Sequence, residues 1–274
     1  MNSIGAKPVS LINFKRRDNM KRCQFALIAL LSAGLLYCAA DIVNAESYPP
    51  LPQALNALQD DDTATVLQEN LPFSLFNPEY FVFKPVGAEP SKGFLFYPGG
   101  MVDPRCYAPA AHAIAAAGYL AVIVSMPFDL APFGWKRGNH ILREFTTVTT
   151  WAIGGHSVGG SYACKFAKRY PSKVSGVVLW ASTPSESFRL DKTDIKAISI
   201  YGTKDFYPEQ LAQGAKFLPA GTPFVVIDGG NHTQFGYIDT SPETHLERDY
   251  PADITLEEQQ KQIIQATVDF LDKL

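Results

Sequence analysis

The sequence predicts an α/β fold: a mostly parallel, doubly wound sheet with helices on both faces and no large cap domain. Two observations carry that expectation. Apolar runs of four to seven residues recur along the chain at 93–97, 119–125, 150–154, 176–181, 197–201 and 224–227, as expected for strands buried on both faces. Helical patterns at 107–117, 157–170 and 208–217 lie between them, and strand followed by helix, repeated, builds a parallel sheet.

The remaining elements follow in chain order. Ahead of the first parallel run, residues 63–68 and 80–84 read as antiparallel edge strands, with Pro72 and Pro78 between them. At the other end, Thr255 and Glu258 form a capping box. Leu256, Ile263, Thr267, Phe270 and Leu274 then recur at three- to four-residue steps with one seven-residue gap, the apolar stripe of a helix packed on the sheet. One domain from residue 46 to 274 is the simplest division. Of the four cysteines, Cys106 and Cys164 belong to this domain and fall on helices covering opposite faces of the sheet, so free, partly buried thiols are expected.

The 274 residues are 46% apolar and 19% charged, a globular composition long enough for one substantial core. A net charge of −3 and the lack of a basic, aromatic-interleaved stripe in the sequence argue against a nucleic-acid partner. Lys21 and Arg22 precede an uncharged run at 23–40, followed by Val43-Asn44-Ala45. A basic start, an apolar stretch and small residues at the cleavage positions read as a secretory signal over 20–45, cut after Ala45. The competing reading is an uncleaved membrane anchor through 23–40, since about 18 uncharged residues just reach across a bilayer. Either makes the protein exported, in the periplasm or outside the cell, or tethered to the membrane. Residues 1–19 precede a second methionine, Met20, and read as an upstream extension.

The chemistry is concentrated in Gly155-His156-Ser157-Val158-Gly159, which follows one apolar run and opens a helix. A serine at such a turn needs strained backbone, and flanking glycines remove side chains that would collide there. Alone the pattern is weak, arising by chance in roughly one chain of this length in ten. Its placement among possible partners is more informative. Asp205 follows the run at 197–201, His232 follows the run at 224–227, and open α/β sheets gather their sites at the carboxyl ends of strands. Asp228 lies too close to His232 to be a good rival acid, and Asp194 precedes its strand. An oxyanion hole needs two backbone N–H donors. Val158 offers one, and the loop Tyr97-Pro98-Gly99-Gly100-Met101 offers the other, at Gly100 or alternatively at Met101.

Four strings are more specific than the pentapeptide: Phe96-Tyr97-Pro98-Gly99-Gly100, Met126-Pro127-Phe128-Asp129-Leu130-Ala131, Trp151-Ala152-Ile153-Gly154-Gly155-His156-Ser157 and Gly229-Gly230-Asn231-His232-Thr233-Gln234-Phe235-Gly236. With them the chain resembles the α/β-hydrolases, and within these the small lidless esterases similar to dienelactone hydrolase, over residues 60–274. The resemblance implies Ser157, Asp205 and His232 as a catalytic triad, with the Gly100 and Val158 backbone as the oxyanion hole. Val158 stands where the family pattern has leucine.

The expected activity is hydrolysis of a small or medium carboxylic ester through an acyl-enzyme on Ser157, with amides, thioesters and lactones also open. An acyltransferase using the same triad and a non-catalytic binding domain on this scaffold are the alternatives. No metal or cofactor is expected. Only 13 residues separate Ser182 from Lys196, where many lipases insert a cap, so an open site is expected. Met101, Phe128, Phe206 and Phe235 are candidates for an apolar substrate pocket. The acidic segment 236–250 reads only as a solvated loop.

Overall fold

The computed structural model describes residues 47–72, 74–206, 208–241 and 249–274. The extension at 1–19 and the signal or anchor at 20–45 lie outside the described residues. Among the described residues no helix is long and apolar enough to cross a membrane.

Eight strands form one sheet: β1 (Ala64–Asn70), β2 (Glu79–Pro85), β3 (Lys92–Tyr97), β4 (Leu120–Val124), β5 (Thr150–His156), β6 (Gly176–Trp180), β7 (Lys196–Gly202) and β8 (Phe224–Ile227). Their order is β1-β2-β4-β3-β5-β6-β7-β8. From β4 to β8 every pairing is parallel, while β1 pairs antiparallel with β2, and β2 antiparallel with β4. Here the structure corrects one expectation. Of the two strands expected at the edge, β1 is an edge strand but β2 lies inside the sheet, with Tyr80, Phe81, Val82 and Phe83 all buried. Four consecutive large apolar residues suit a strand covered on both faces, and would be costly at an edge.

The helices are α1 (Pro52–Asn56), α2 (Ala108–Ala116), α3 (Ala131–Gly134), α4 (Gly138–Glu144), α5 (Val158–Arg169), α6 (Pro208–Gln213) and α7 (Leu256–Asp272). One core joins Ile114 of α2 and Ile263, Phe270 and Leu271 of α7 to Phe94, Phe96, Val178, Trp180 and Ile200 on one face of the sheet. The other joins Ile141 of α4 and Ala163, Phe166 and Ala167 of α5 to Leu95, Ile153, Val177 and Leu179 on the opposite face. Alternate residues of each strand therefore feed two cores, the doubly wound arrangement that the apolar runs imply. Cys106 belongs to the first core and Cys164 to the second, and both are free thiols. Burial pushes both thiol pKa values up.

The capping box of α7 is formed: Thr255 Oγ1 accepts from the Glu258 N–H at 3.1 Å and the Glu258 carboxylate accepts from the Thr255 N–H at 2.9 Å. Between Ser182 and β7 the chain makes only a short 3-10 turn, Glu186–Phe188, and among the described residues no large cap covers the carboxyl ends of the strands.

Candidate active site

Ser157 stands between the last residue of β5 and the first of α5, with φ 53° and ψ −125°. Such a backbone is strained for any residue with a Cβ, by about 1–3 kcal/mol, and persists only where its surroundings enforce it. The Ser157 N–H donates to Trp180 O at 3.0 Å, and the Ser182 hydroxyl donates to Ser157 O at 2.6 Å. The turn is also packed backbone to backbone. A Cβ on Gly155 would lie 2.5 Å from the Gly159 carbonyl carbon, and one on Gly159 only 2.2 Å from Pro98 O. Glycine is therefore required at both flanks for the start of α5 to rest against the end of β3.

That contact sets the Gly100 backbone beside Val158. A Cβ at Gly100 would lie 3.0 Å from Val158 Cγ1, and the Val158 N–H is one of the first of α5, which have no intrahelical acceptor. The alternative donor is already engaged: the Met101 N–H donates to Asp129 O at 2.9 Å. Of the two possibilities in this loop, Gly100 is the one left to face Val158. The helix dipole of α5 adds partial positive charge at the same point.

His232 and Asp205 meet. His232 Nδ1 lies 2.9 Å from Asp205 Oδ2, with the histidine 4% and the aspartate 1% exposed. A carboxylate only accepts, so Nδ1 carries the proton and Nε2 keeps its lone pair. Asp228 is instead exposed and accepts from the Thr203 hydroxyl at 3.3 Å, and Asp194 is exposed before β7. The His232 ring packs on His156, the residue before Ser157, with centroids 4.5 Å apart, and on Phe206 at 4.3 Å.

Several residues that hold this geometry were not singled out by the sequence. Gln259 of α7, fully buried, accepts from the Asn231 N–H at 2.9 Å and donates to Asn231 O at 2.8 Å. Gln260 donates to Gln234 O at 2.7 Å. Asp249 accepts from the backbone N–H groups of His232 at 3.3 Å and Thr233 at 2.6 Å. It supplies a reason for one end of the acidic segment, which the sequence left as a solvated loop; residues 242–248 lie outside the described residues. Burial raises the Asp249 pKa against the lowering effect of the Thr233 and His232 contacts. Replacing Gln259 by alanine takes away the side-chain partner of both the N–H and the C=O of Asn231. It is expected to cost roughly 2–4 kcal/mol in denaturant unfolding. Unchanged stability would show that the clamp does not hold the His232 loop.

His156 is not a general base. Its ring is fully buried, and burial first, then the nearness of a second titratable ring, His232, hold its pKa well below 6.5. The Tyr107 hydroxyl accepts from the Gly99 N–H at 3.0 Å and lies 2.8 Å from His156 Nδ1. Since this hydroxyl is buried, its proton is best used on Nδ1, which makes His156 a neutral acceptor and ties the glycine loop to the serine turn. A histidine held neutral when folded and protonated when unfolded makes the fold lose stability as pH falls below 6.5. The loss is about 1.4 kcal/mol per pH unit until the folded group itself protonates. Chemical unfolding at stepped pH should show a shallower acid slope for His156→Gln; equal slopes would refute the neutral, buried assignment.

Met101 and Phe128 are half-buried beside this loop and have left-handed backbone, φ 58° and 56°. Phe206 is half-buried against His232. Phe235 differs from the expectation of a pocket wall. It is completely buried and stacks under His156, with centroids 5.7 Å apart and planes 8° from parallel. It is a core ring supporting the site from below. Among the described residues no group of three or more histidine, cysteine or acidic side chains could hold a metal ion.

Comparison with known proteins agrees with this architecture. Among solved structures, the chain is similar to a predicted CIB-like hydrolase from Thermoplasma acidophilum. Identity is 19%, the match covers 77% of this chain and 100% of that one, and the TM-score is 0.54. It is also similar to an esterase from Pyrobaculum calidifontis, with 13% identity, 81% and 89% coverage and a TM-score of 0.58. A third is a dienelactone-hydrolase-type protein from Klebsiella pneumoniae, with 14% identity, 77% and 99% coverage and a TM-score of 0.54. No curated protein matches the sequence. The model of the alpha/beta hydrolase family matches residues 93–261, which include the serine turn, the aspartate and the histidine; the chain belongs to that family.

Proposed function

We propose that the protein is a serine hydrolase that cleaves a small or medium carboxylic ester through an acyl-enzyme on Ser157. The observation that carries this reading is the buried 2.9 Å pair of His232 Nδ1 and Asp205 Oδ2, set beside a strained serine at the carboxyl ends of parallel strands. With Nδ1–H bound to Asp205, Nε2 is free to take the Ser157 proton as the hydroxyl attacks the ester carbonyl. The imidazolium is stabilised by the adjacent carboxylate and returns its proton to the leaving alcohol. Water repeats the sequence on the acyl-enzyme. Through both steps the carbonyl oxygen carries negative charge, for which the Gly100 and Val158 N–H groups are the donors. Met101, Phe128 and Phe206 form the apolar surroundings of the acyl or alcohol group. The segment at 20–45 is assigned as an export signal or retained anchor.

Stopped-flow mixing with p-nitrophenyl acetate tests the acyl-enzyme directly. The expected result is a burst of nitrophenolate of about one equivalent followed by slower turnover, with a single added acetyl mass on the peptide holding Ser157. Steady turnover with acetyl on any other residue would reject the assignment.

A further inference from the structure

We propose that the rim formed by Leu75, Phe76 and Phe133, with Lys136 and Lys165 beside it, docks the protein on an anionic lipid bilayer, and that its ester substrate is lipid-soluble and enters from that bilayer. The docking stands on the surface alone; the substrate class rests on the hydrolase reading.

The rim is apolar, exposed and held in place. Leu75 is 91% exposed, Phe76 52% and Phe133 58%, and the two aromatic rings meet through Phe128, with centroids 4.7 Å and 5.8 Å from it. Clustered exposed apolar side chains of this size mark a contact surface. Their loop is clamped by the half-buried Arg137 guanidinium, which donates to Phe76 O at 2.6 Å, Asn77 O at 2.7 Å, Ser125 O at 2.5 Å and the Ser74 hydroxyl. The side chains are thus presented outward by a loop cross-linked to the end of β4.

Charge selects the partner. Although the chain is net negative, the Trp135 ring beside Phe133 carries Lys165 Nζ at 4.7 Å and Lys136 Nζ at 5.5 Å. The nearby Asp129 carboxylate is turned inward, onto Asn77 at 2.9 Å and the Ser47 hydroxyl. Apolar side chains flanked by lysine and tryptophan suit insertion among acyl chains with the cations at anionic headgroups.

The segment that carries the rim's Phe128 also packs against the glycine loop. Leu130 Cδ2 would lie 3.5 Å from a Cβ at Gly100, and Asp129 O holds the Met101 N–H. An ester leaving the bilayer at Phe133 and Phe128 arrives beside the proposed oxyanion donors.

Quenching of tryptophan fluorescence by brominated lipid tests the docking in the full-length protein. Trp151 and Trp180 are buried, so quenching by vesicles of brominated phosphatidylglycerol and phosphatidylcholine reports Trp135, and loss of the quenched signal in Trp135→Phe verifies it. The expected result is quenching that falls at least about twofold in Leu75→Ser/Phe133→Ser and in Lys136→Glu, and falls with salt in the wild-type protein. Vesicle-bound wild-type protein without quenching, quenching unchanged in both variants, or a dimer that buries the rim would overturn it. Fluorophosphonate labelling of the same samples separates the two readings: labelling without quenching rejects the docking alone, and quenching without labelling supports the docking while rejecting the hydrolase and its substrate.

Discussion

Ser157→Ala is expected to lower ester turnover by about 10⁵-fold or more while leaving the fold intact, because residues that act as a unit in acyl transfer fail together when the nucleophile is removed. The Ser157 backbone, with φ 53° and ψ −125°, is imposed by Gly155, Gly159, Trp180 and Ser182 and does not depend on the hydroxyl. Strain predicts a second consequence. Ser157→Gly should be equally inactive yet more stable by about 1 kcal/mol, since relief of 1–3 kcal/mol of strain exceeds the entropy cost of glycine. Parallel assays of activated-ester hydrolysis and urea unfolding check both. Residual activity within tenfold of wild type in Ser157→Ala would remove the serine from the chemistry.

Gly159→Ala is expected to be among the most damaging single substitutions in the chain. Its Cβ would lie 2.2 Å from Pro98 O and 2.3 Å from Tyr97 O, both backbone atoms at the end of β3 that no rotamer change can move. Either α5 lifts from the sheet or the glycine loop shifts. Both separate Val158 from Gly100. Overlap of this kind costs on the order of 3–5 kcal/mol, which for a domain of this size lowers Tm by roughly 10–15 °C. Thermal unfolding followed by circular dichroism measures it; a Tm within 2–3 °C of wild type would mean that the approach of α5 to β3 is looser than described.

The parallel strands and the position of the candidate residues after their carboxyl ends were legible because both depend on local pattern. Runs such as 150–154 and 176–181 are apolar on consecutive residues, and Ser157, Asp205 and His232 each follow such a run. What stayed hidden depends on contacts distant in sequence. The apolar stripe of α7 has a seven-residue gap between Leu256 and Ile263, and that gap is where Gln259 and Gln260 turn inward to bind the His232 loop. A buried glutamine looks like an exposed one in sequence, so only its partners reveal it. Asp249 likewise reaches back across 17 residues to the His232 N–H. Phe235 is a pocket candidate by its place near His232 in sequence, but it is completely buried under His156, as large aromatic rings commonly are. The inner position of β2 was missed because its pairing with β4 skips over β3, a choice of strand order that local pattern does not contain.

The central claim is that Ser157 is an activated nucleophile supported by His232 and Asp205. Covalent labelling by a fluorophosphonate probe tests it most directly, since the probe reacts with a serine only when a base and an oxyanion hole act on it. The account predicts stoichiometric labelling of the wild-type protein, none of Ser157→Ala or His232→Ala, and strongly slowed labelling of Asp205→Asn. A folded wild-type protein that takes up no label, or labelling that survives the loss of His232, would contradict it.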